Sequence, residues 1–241
     1  MATQLQVFRH VDGAAQAAAL AAGVARELTE ALAARPSASL VVSGGRSPQA
    51  MFQRLCAAPL AWARVQLTLA DERWVAADDE ASNERLVRSG LLREAAAAAQ
   101  FIAMKNAADT PEAGAAACWR AVAAMPRPFD ATVLGMGDDG HTASLFPCSA
   151  QLAAGIDPSA APGVLAVHPT TAPYPRLSLN RSALLATRRI FLLISGAAKW
   201  AVCTRALQPG PDSELPVRIV LRQQQVPVEV HWCPLPGEAS S

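Results

Sequence analysis

In the stretch VLGMGDDGHTASLFP (residues 133–147) an apolar run ends, and the chain then places Gly137, Asp138, Asp139, Gly140 and His141 in one short bend. A bend of this kind needs glycine, and one aspartate can brace it through a side-chain hydrogen bond to nearby backbone. It has no need of an imidazole. Histidine is the side chain that ionises nearest neutrality, so His141 is suited to moving a proton between water and a substrate. Asp138 or Asp139 can orient the ring, hold a substrate hydroxyl or shape the bend. His10, His168 and His231 have no comparable company and read as structural or exposed. No second histidine lies at metal-ligand spacing, so neither a metal nor another cofactor is expected.

A second cluster is SGGRSP, residues 43–48. Gly44 and Gly45 let a backbone approach a ligand, and a following helix would point free N–H groups at it. Ser43 and Ser47 add hydroxyls and Arg46 adds charge, a combination suited to phosphate. An ordinary strand-to-helix turn with a serine cap would look similar. The pattern is not G-x-x-x-x-G-K-[ST], so a nucleoside triphosphate loop is not implied. ADERWV, residues 70–75, groups Asp71, Glu72 and Arg73. Three charges in a row usually mark a solvated surface, but these interrupt apolar sequence at a strand end. Arg176 opens a strand after a proline-flanked loop, and Lys199 lies early in a helix. Each alone reads as a surface cation; Arg46, Arg73, Arg176 and Lys199 together read as an anion pocket.

The elements that must position these groups follow from periodicity. Leu20, Val24, Leu28 and Leu32 repeat every four residues between charged positions, predicting a helix that Pro36 ends. ASLVV (38–42) predicts a buried strand, and Pro48 the first residue of a helix with Met51, Phe52 and Leu55 on its apolar face. VQLTLA (65–70) alternates as a strand should. A helix is expected from Ser82 through Leu92 into the alanine tract, a strand at FIAM (101–104), a helix from Thr110-Pro111 to near Pro126, and a strand at ATVLGM (131–136). A long Pro, Ala and Gly-rich loop covers about 147–163. GVLAVH, PRLSLN, RIFLLIS (189–195) and VEVHW read as strands, RIFLLIS leads into the Lys199 helix, and PVRIVLR fits helix or strand. Alternating strands and helices predict an α/β fold with a largely parallel sheet. Ligands bind beyond the carboxyl ends of such strands, so SGGRSP, DERW, GDDGHTAS and SGAAK should converge on one edge.

Composition sets the frame. A chain of 241 residues, 51% hydrophobic, has ample material for a core and is expected to form a single unit over 1–241. A formal net charge of +1 without a basic block argues against nucleic acid as a partner. No apolar run approaches the ~20 residues that span a bilayer, and the charged N-terminal region fails as a signal peptide. Cys56, Cys118, Cys148, Cys203 and Cys233 lie at long irregular intervals, so free thiols in a reducing cytoplasm are expected. The expected oligomeric state is a monomer or weak dimer.

SGGRSP, LADERWV with Ser82-Asn83 downstream, LGMGDDGHTASLFP, PRLSLN and SGAAK run in order from about residue 40 to 200 and resemble the 6-phosphogluconolactonase family. GDDGHTASLFP is the most specific piece. The resemblance implies a doubly wound, Rossmann-like α/β fold shared with glucosamine-6-phosphate deaminase. It also implies hydrolysis of 6-phospho-D-glucono-1,5-lactone to 6-phospho-D-gluconate, the second oxidative step of the pentose phosphate pathway, with no metal. His141, with Asp139, would serve as general base and acid, and amides of the Gly137–Gly140 bend would hold the oxyanion. Ser43, Gly44, Gly45, Arg46, Ser47, Asp71, Arg73, Gly137, Asp138, Gly140, Arg176 and Lys199 would hold the sugar phosphate.

Two alternatives stand beside it. The deaminase pattern reads GHIAFNEP, with glutamate five places after the histidine where this chain has Phe146, and D-E-Y where it has Asp71-Glu72-Arg73. Phenylalanine cannot act as an acid–base carboxylate. A non-catalytic sugar-phosphate sensor would carry a DNA-binding segment, and the single amphipathic helix before ASLVV leaves no room for a helix-turn-helix.

Overall fold

A computed structural model describes residues 5–238. Residues 1–4 and 239–241, the ends of the expected unit, lie outside the described residues. In chain order the strands and helices are β1 (Leu5–Arg9), α1 (Gly13–Ala34), β2 (Ala38–Val42), α2 (Gln49–Leu55), β3 (Val65–Leu69), β4 (Asp71–Arg73), α3 (Asn83–Gly90) and β5 (Gln100–Ile102). There follow α4 (Pro111–Ala123), β6 (Ala131–Gly135), α5 (Leu152–Ile156), β7 (Val164–Val167), β8 (Arg176–Leu179), α6 (Arg181–Leu185), β9 (Ile190–Ser195), α7 (Ala197–Leu207), α8 (Arg218–Leu221) and β10 (Val228–Cys233).

Seven strands form a sheet of order β1-β10-β9-β6-β2-β3-β5, every pair parallel. A parallel sheet needs cover on both faces, which is why its central strands β2, β6 and β9 read as nearly continuous apolar runs. Leu40, Val41 and Val42 of β2 and Ile190, Phe191 and Leu192 of β9 are fully buried. Helix α1 contributes Leu20, Val24 and Leu28 to the same core, and the Asp12 carboxylate caps its start by accepting from the Ala15 amide at 2.8 Å. The chain winds outward from β2 through β3 to β5, then returns to β6 and winds the other way through β9 to β10. Order therefore reverses between β2 and β6, and a doubly wound sheet opens its crevice there.

The fold class is as the sequence implied, and several details differ. Strand β1, largely exposed along the sheet edge, carries no pattern that would announce it. GVLAVH and PRLSLN do not join the parallel sheet; with the unexpected strand β4 they form a three-stranded antiparallel sheet of order β4-β8-β7. Ala70 joins the two sheets, its N–H donating to Val42 and its carbonyl accepting from Leu179, both at 2.9 Å. The 147–163 loop contains α5, and α3 stops at Gly90 instead of running into the alanine tract, while PVRIVLR, open between helix and strand, holds the short helix α8. Pro48 precedes α2 rather than opening it. Among the described residues no helix is long and apolar enough to cross a membrane.

Candidate active site

A cavity of about 260 Å³ opens at the reversal between β2 and β6. Ser43, Gly44, Gly45, Arg46 and Ser47 wall it from the end of β2, and Gly137 and His141 from the bend after β6. Asp71 and Arg73 enter from β4, Arg176 from β8 and Lys199 from α7. All four motif segments thus converge on one edge. Of the other expected residues, Asp139 braces His141 from behind, and Asp138 is exposed and does not line the cavity. Gly140, also off the wall, turns the chain at φ +78°, and a Cβ there would stand 2.5 Å from Leu215 Cδ2.

Geometry fixes the state of His141. Its Nδ1 lies 2.6 Å from Asp139 Oδ1, which also accepts the His141 amide at 3.1 Å. Partial burial pushes the Asp139 carboxyl up, but hydrogen bonds and charge from His141 outweigh it and hold the group below the usual aspartate range. An ionised Asp139 requires the proton on Nδ1, which leaves Nε2 as the basic nitrogen. Gly137 makes the pairing possible, since a Cβ there would lie 2.2 Å from the imidazole ring. The ring also lies against Phe146, centroids 4.0 Å apart.

The cations are held in different ways. Arg176 is buried, with NH1 donating to Ser144 Oγ at 3.5 Å and NH2 to the Pro173 carbonyl at 3.2 Å, while its Nε has no partner among the described residues. Burial pushes this guanidinium's pKa down; the Asp71 charge opposes the shift and the Arg73 charge adds to it. Arg73 donates to the Ala81 carbonyl at 2.6 Å and Lys199 to the Met136 carbonyl at 2.6 Å. Arg46 is exposed at the rim. The β4–β8 register sets Arg73 directly opposite Arg176. The buried Asp71 accepts from Ser144 Oγ at 2.5 Å.

The two glycines of SGGRSP differ. A Cβ on Gly44 would lie 1.9 Å from Asn83 Oδ1, so this glycine makes room for a protein side chain. Gly45, at φ +91°, faces open space. Among the described residues the amides of Gly44, Gly45, Arg46 and Ser47 have no acceptor. Those of Gly137, Gly140 and His141, by contrast, close their own bend through the His141 carbonyl, the Gly137 carbonyl and Asp139. The amides free for an anion are therefore those of the turn after β2 and, within the bend, those of Asp138 and Asp139, which have no acceptor among the described residues.

Sequence reasoning missed the placing of Asn83 and Ser144. Asn83 lines the cavity and donates to the Asp71 carbonyl at 2.9 Å, while Glu72 secures the start of α3 by accepting from the Arg73, Asn83 and Glu84 amides. The other histidines also have partners that the sequence reading did not give them. His10 Nε2 lies 3.0 Å from His231 Nδ1, His231 Nε2 lies 3.2 Å from Glu229, and His168 pairs with Glu112.

The model of the family described as glucosamine-6-phosphate isomerases/6-phosphogluconolactonase matches residues 11–232, and the chain belongs to this family. It is 40% identical to a 6-phosphogluconolactonase of Rhizobium meliloti over 97% of this chain and 100% of the relative. It is 44% identical to a 6-phosphogluconolactonase of Pseudomonas aeruginosa over 92% of each chain. The crystal structure of a 6-phosphogluconolactonase from Shewanella baltica matches with a TM-score of 0.91 at 45% identity, covering 94% of this chain and 97% of that one.

Proposed function

We propose that the chain hydrolyses 6-phospho-D-glucono-1,5-lactone to 6-phospho-D-gluconate in the pentose phosphate pathway, with His141 carrying the proton. The observation that carries this reading is an imidazole tied through Nδ1 to an ionised aspartate, facing a cavity with four cations and unpaired amides. His141 Nε2 takes a proton from water as the water oxygen bonds to the lactone carbonyl carbon. Negative charge moves to the carbonyl oxygen, where backbone or guanidinium donors stabilise it. The tetrahedral species collapses by breaking the bond from that carbon to the ring oxygen, which receives the proton from Nε2. The products are a carboxylic acid, which ionises, and a free hydroxyl. Arg46, Arg73, Arg176 and Lys199 with the Gly44–Ser47 amides hold the phosphate and so place the carbonyl near Nε2. Relatives bearing the lactonase name along nearly the whole chain support the same substrate.

The chain works as one unit, as its continuous core supports. Its free cysteines favour a reducing, cytoplasmic setting. The test is acid release from freshly generated lactone, measured above the spontaneous rate. His141→Ala should lower kcat by about 10²–10⁴-fold while the protein stays folded. Ammonia release from glucosamine 6-phosphate by the unmodified protein would overturn the reading.

A further inference from the structure

We infer that Phe146 is a positioning residue that serves both ends of the reaction, aiming His141 and keeping Arg176 free for the substrate's anion. This rests on the lactonase reading above. The ring is buried, its centroid 4.0 Å from that of His141 at an interplanar angle of 30°, and the Arg176 Cζ lies 4.9 Å from the same centroid. One phenyl ring thus touches both the base and a buried cation.

Its effect on each differs. For His141, the ring blocks one approach to the imidazole face while Asp139 holds Nδ1, so Nε2 has a fixed direction. For Arg176, the contact answers an electrostatic difficulty. The guanidinium is buried, yet among the described residues no carboxylate lies within ion-pair distance of it. The nearby carboxylate, Asp71, accepts from Ser144 Oγ, the oxygen that also accepts from Arg176, so a hydroxyl stands between the two charges. A buried charge needs compensation. The aromatic face supplies part of it through its quadrupole without cancelling the charge, as a carboxylate would. The cation stays available to an incoming anion.

Three variants test this: Phe146→Tyr keeps the ring, Phe146→Met keeps apolar volume without it, and Phe146→Glu introduces a carboxylate. Each is assayed on the phosphorylated and the bare lactone, with inorganic phosphate binding measured by calorimetry and folding by circular dichroism. Phe146→Met should lower kcat/KM on the phosphorylated lactone about 10–30-fold, through both a higher KM and a lower kcat. Phe146→Glu should raise KM for that substrate about 100-fold, weaken phosphate binding and remove the preference over the bare lactone. Phe146→Tyr should stay within about threefold of the unmodified protein. Should Phe146→Glu not fold, the Met and Tyr variants decide. An unchanged phosphorylated-to-bare ratio in Phe146→Met, or a Tyr variant as impaired as Met, overturns the inference. An unmodified protein without lactonase turnover sinks the lactonase reading instead, and phosphate binding by Phe146→Met still reports on Arg176.

Discussion

Asp139→Asn isolates the contact that orients the proposed base. The aspartate lies 2.6 Å from Nδ1 of His141 and accepts the His141 amide at 3.1 Å, a bond that asparagine can keep. What is removed is a full negative charge beside a ring that, in the proposed mechanism, becomes cationic as it takes the proton of water. A hydrogen bond to a charged group contributes about 1.5–3 kcal/mol. The Asp139 side chain is 41% exposed, so water screens the pair and the lower end applies. A loss of about 1.5 kcal/mol corresponds to roughly a tenfold fall in kcat. An asparagine that turns its NH₂ toward Nδ1 would drive the proton onto Nε2 and extend the loss toward about 10²–10⁴-fold. The expected result is therefore a kcat at least about tenfold lower with KM little changed. Acid release from the phosphorylated lactone, with enzyme-free hydrolysis subtracted, gives both constants. A variant whose kcat stays within about threefold, or whose defect is confined to KM, would refute the orienting role.

Other consequences can be measured on the same protein. Loss of two charged hydrogen bonds should make unphosphorylated gluconolactone poorer by about 10²–10⁴ in kcat/KM. Arg176→Ala and Lys199→Ala should raise KM for the phosphorylated lactone and leave the bare one nearly unchanged; equal kcat/KM for the two lactones would rule out a phosphate pocket. Gly44→Ala sets a Cβ against Asn83 Oδ1 and should destabilise the unliganded protein by about 1–3 kcal/mol, the range for overpacking. An unchanged melting temperature would contradict that placement of Asn83. Burial raises the Glu229 carboxyl, but His231, Arg189 and Arg26 hold it below the ordinary glutamate value of 4.5. A folded pKa below the unfolded one gives stability that is complete above the unfolded value and lost as pH falls through the folded one. Urea unfolding should thus find Glu229→Gln less stable than the unmodified protein at pH 7, by a margin that shrinks below pH 4.5; a growing margin would reverse the sign.

The parallel sheet was legible because strands buried on both faces read as apolar runs, and the site because its polar segments follow those runs directly. ASLVV, ATVLGM and RIFLLIS met both conditions, while VQLTLA showed itself by alternation and by the polar segment after it. Strand β4 met neither, since Asp71-Glu72-Arg73 has the composition of a surface cluster. It becomes a strand through pairing with residues 176–178, about a hundred positions away, and no local pattern encodes that. The division of labour between Gly44 and Gly45 was hidden for the same reason, as Asn83 arrives from another element. The amides at Gly137 and Gly140 looked free in sequence because a bend's internal hydrogen bonds depend on its closed geometry.

The pairing of β4 with β8 would couple the proposed binding to stability. Arg73 and Arg176 occupy opposing positions on an antiparallel ladder, and like charges there repel. The small sheet therefore closes over a frustrated step. In the proposed phosphate site, a dianion between the two guanidiniums would turn that repulsion into attraction, so that filling the site and tightening the ladder would be one equilibrium. Saturation at about 100 times Kd contributes about 2.7 kcal/mol to the folded state. Amide hydrogen exchange should slow at residues 71–73 and 176–179 when phosphate binds, more than along the seven-stranded sheet, whose strands carry no such conflict.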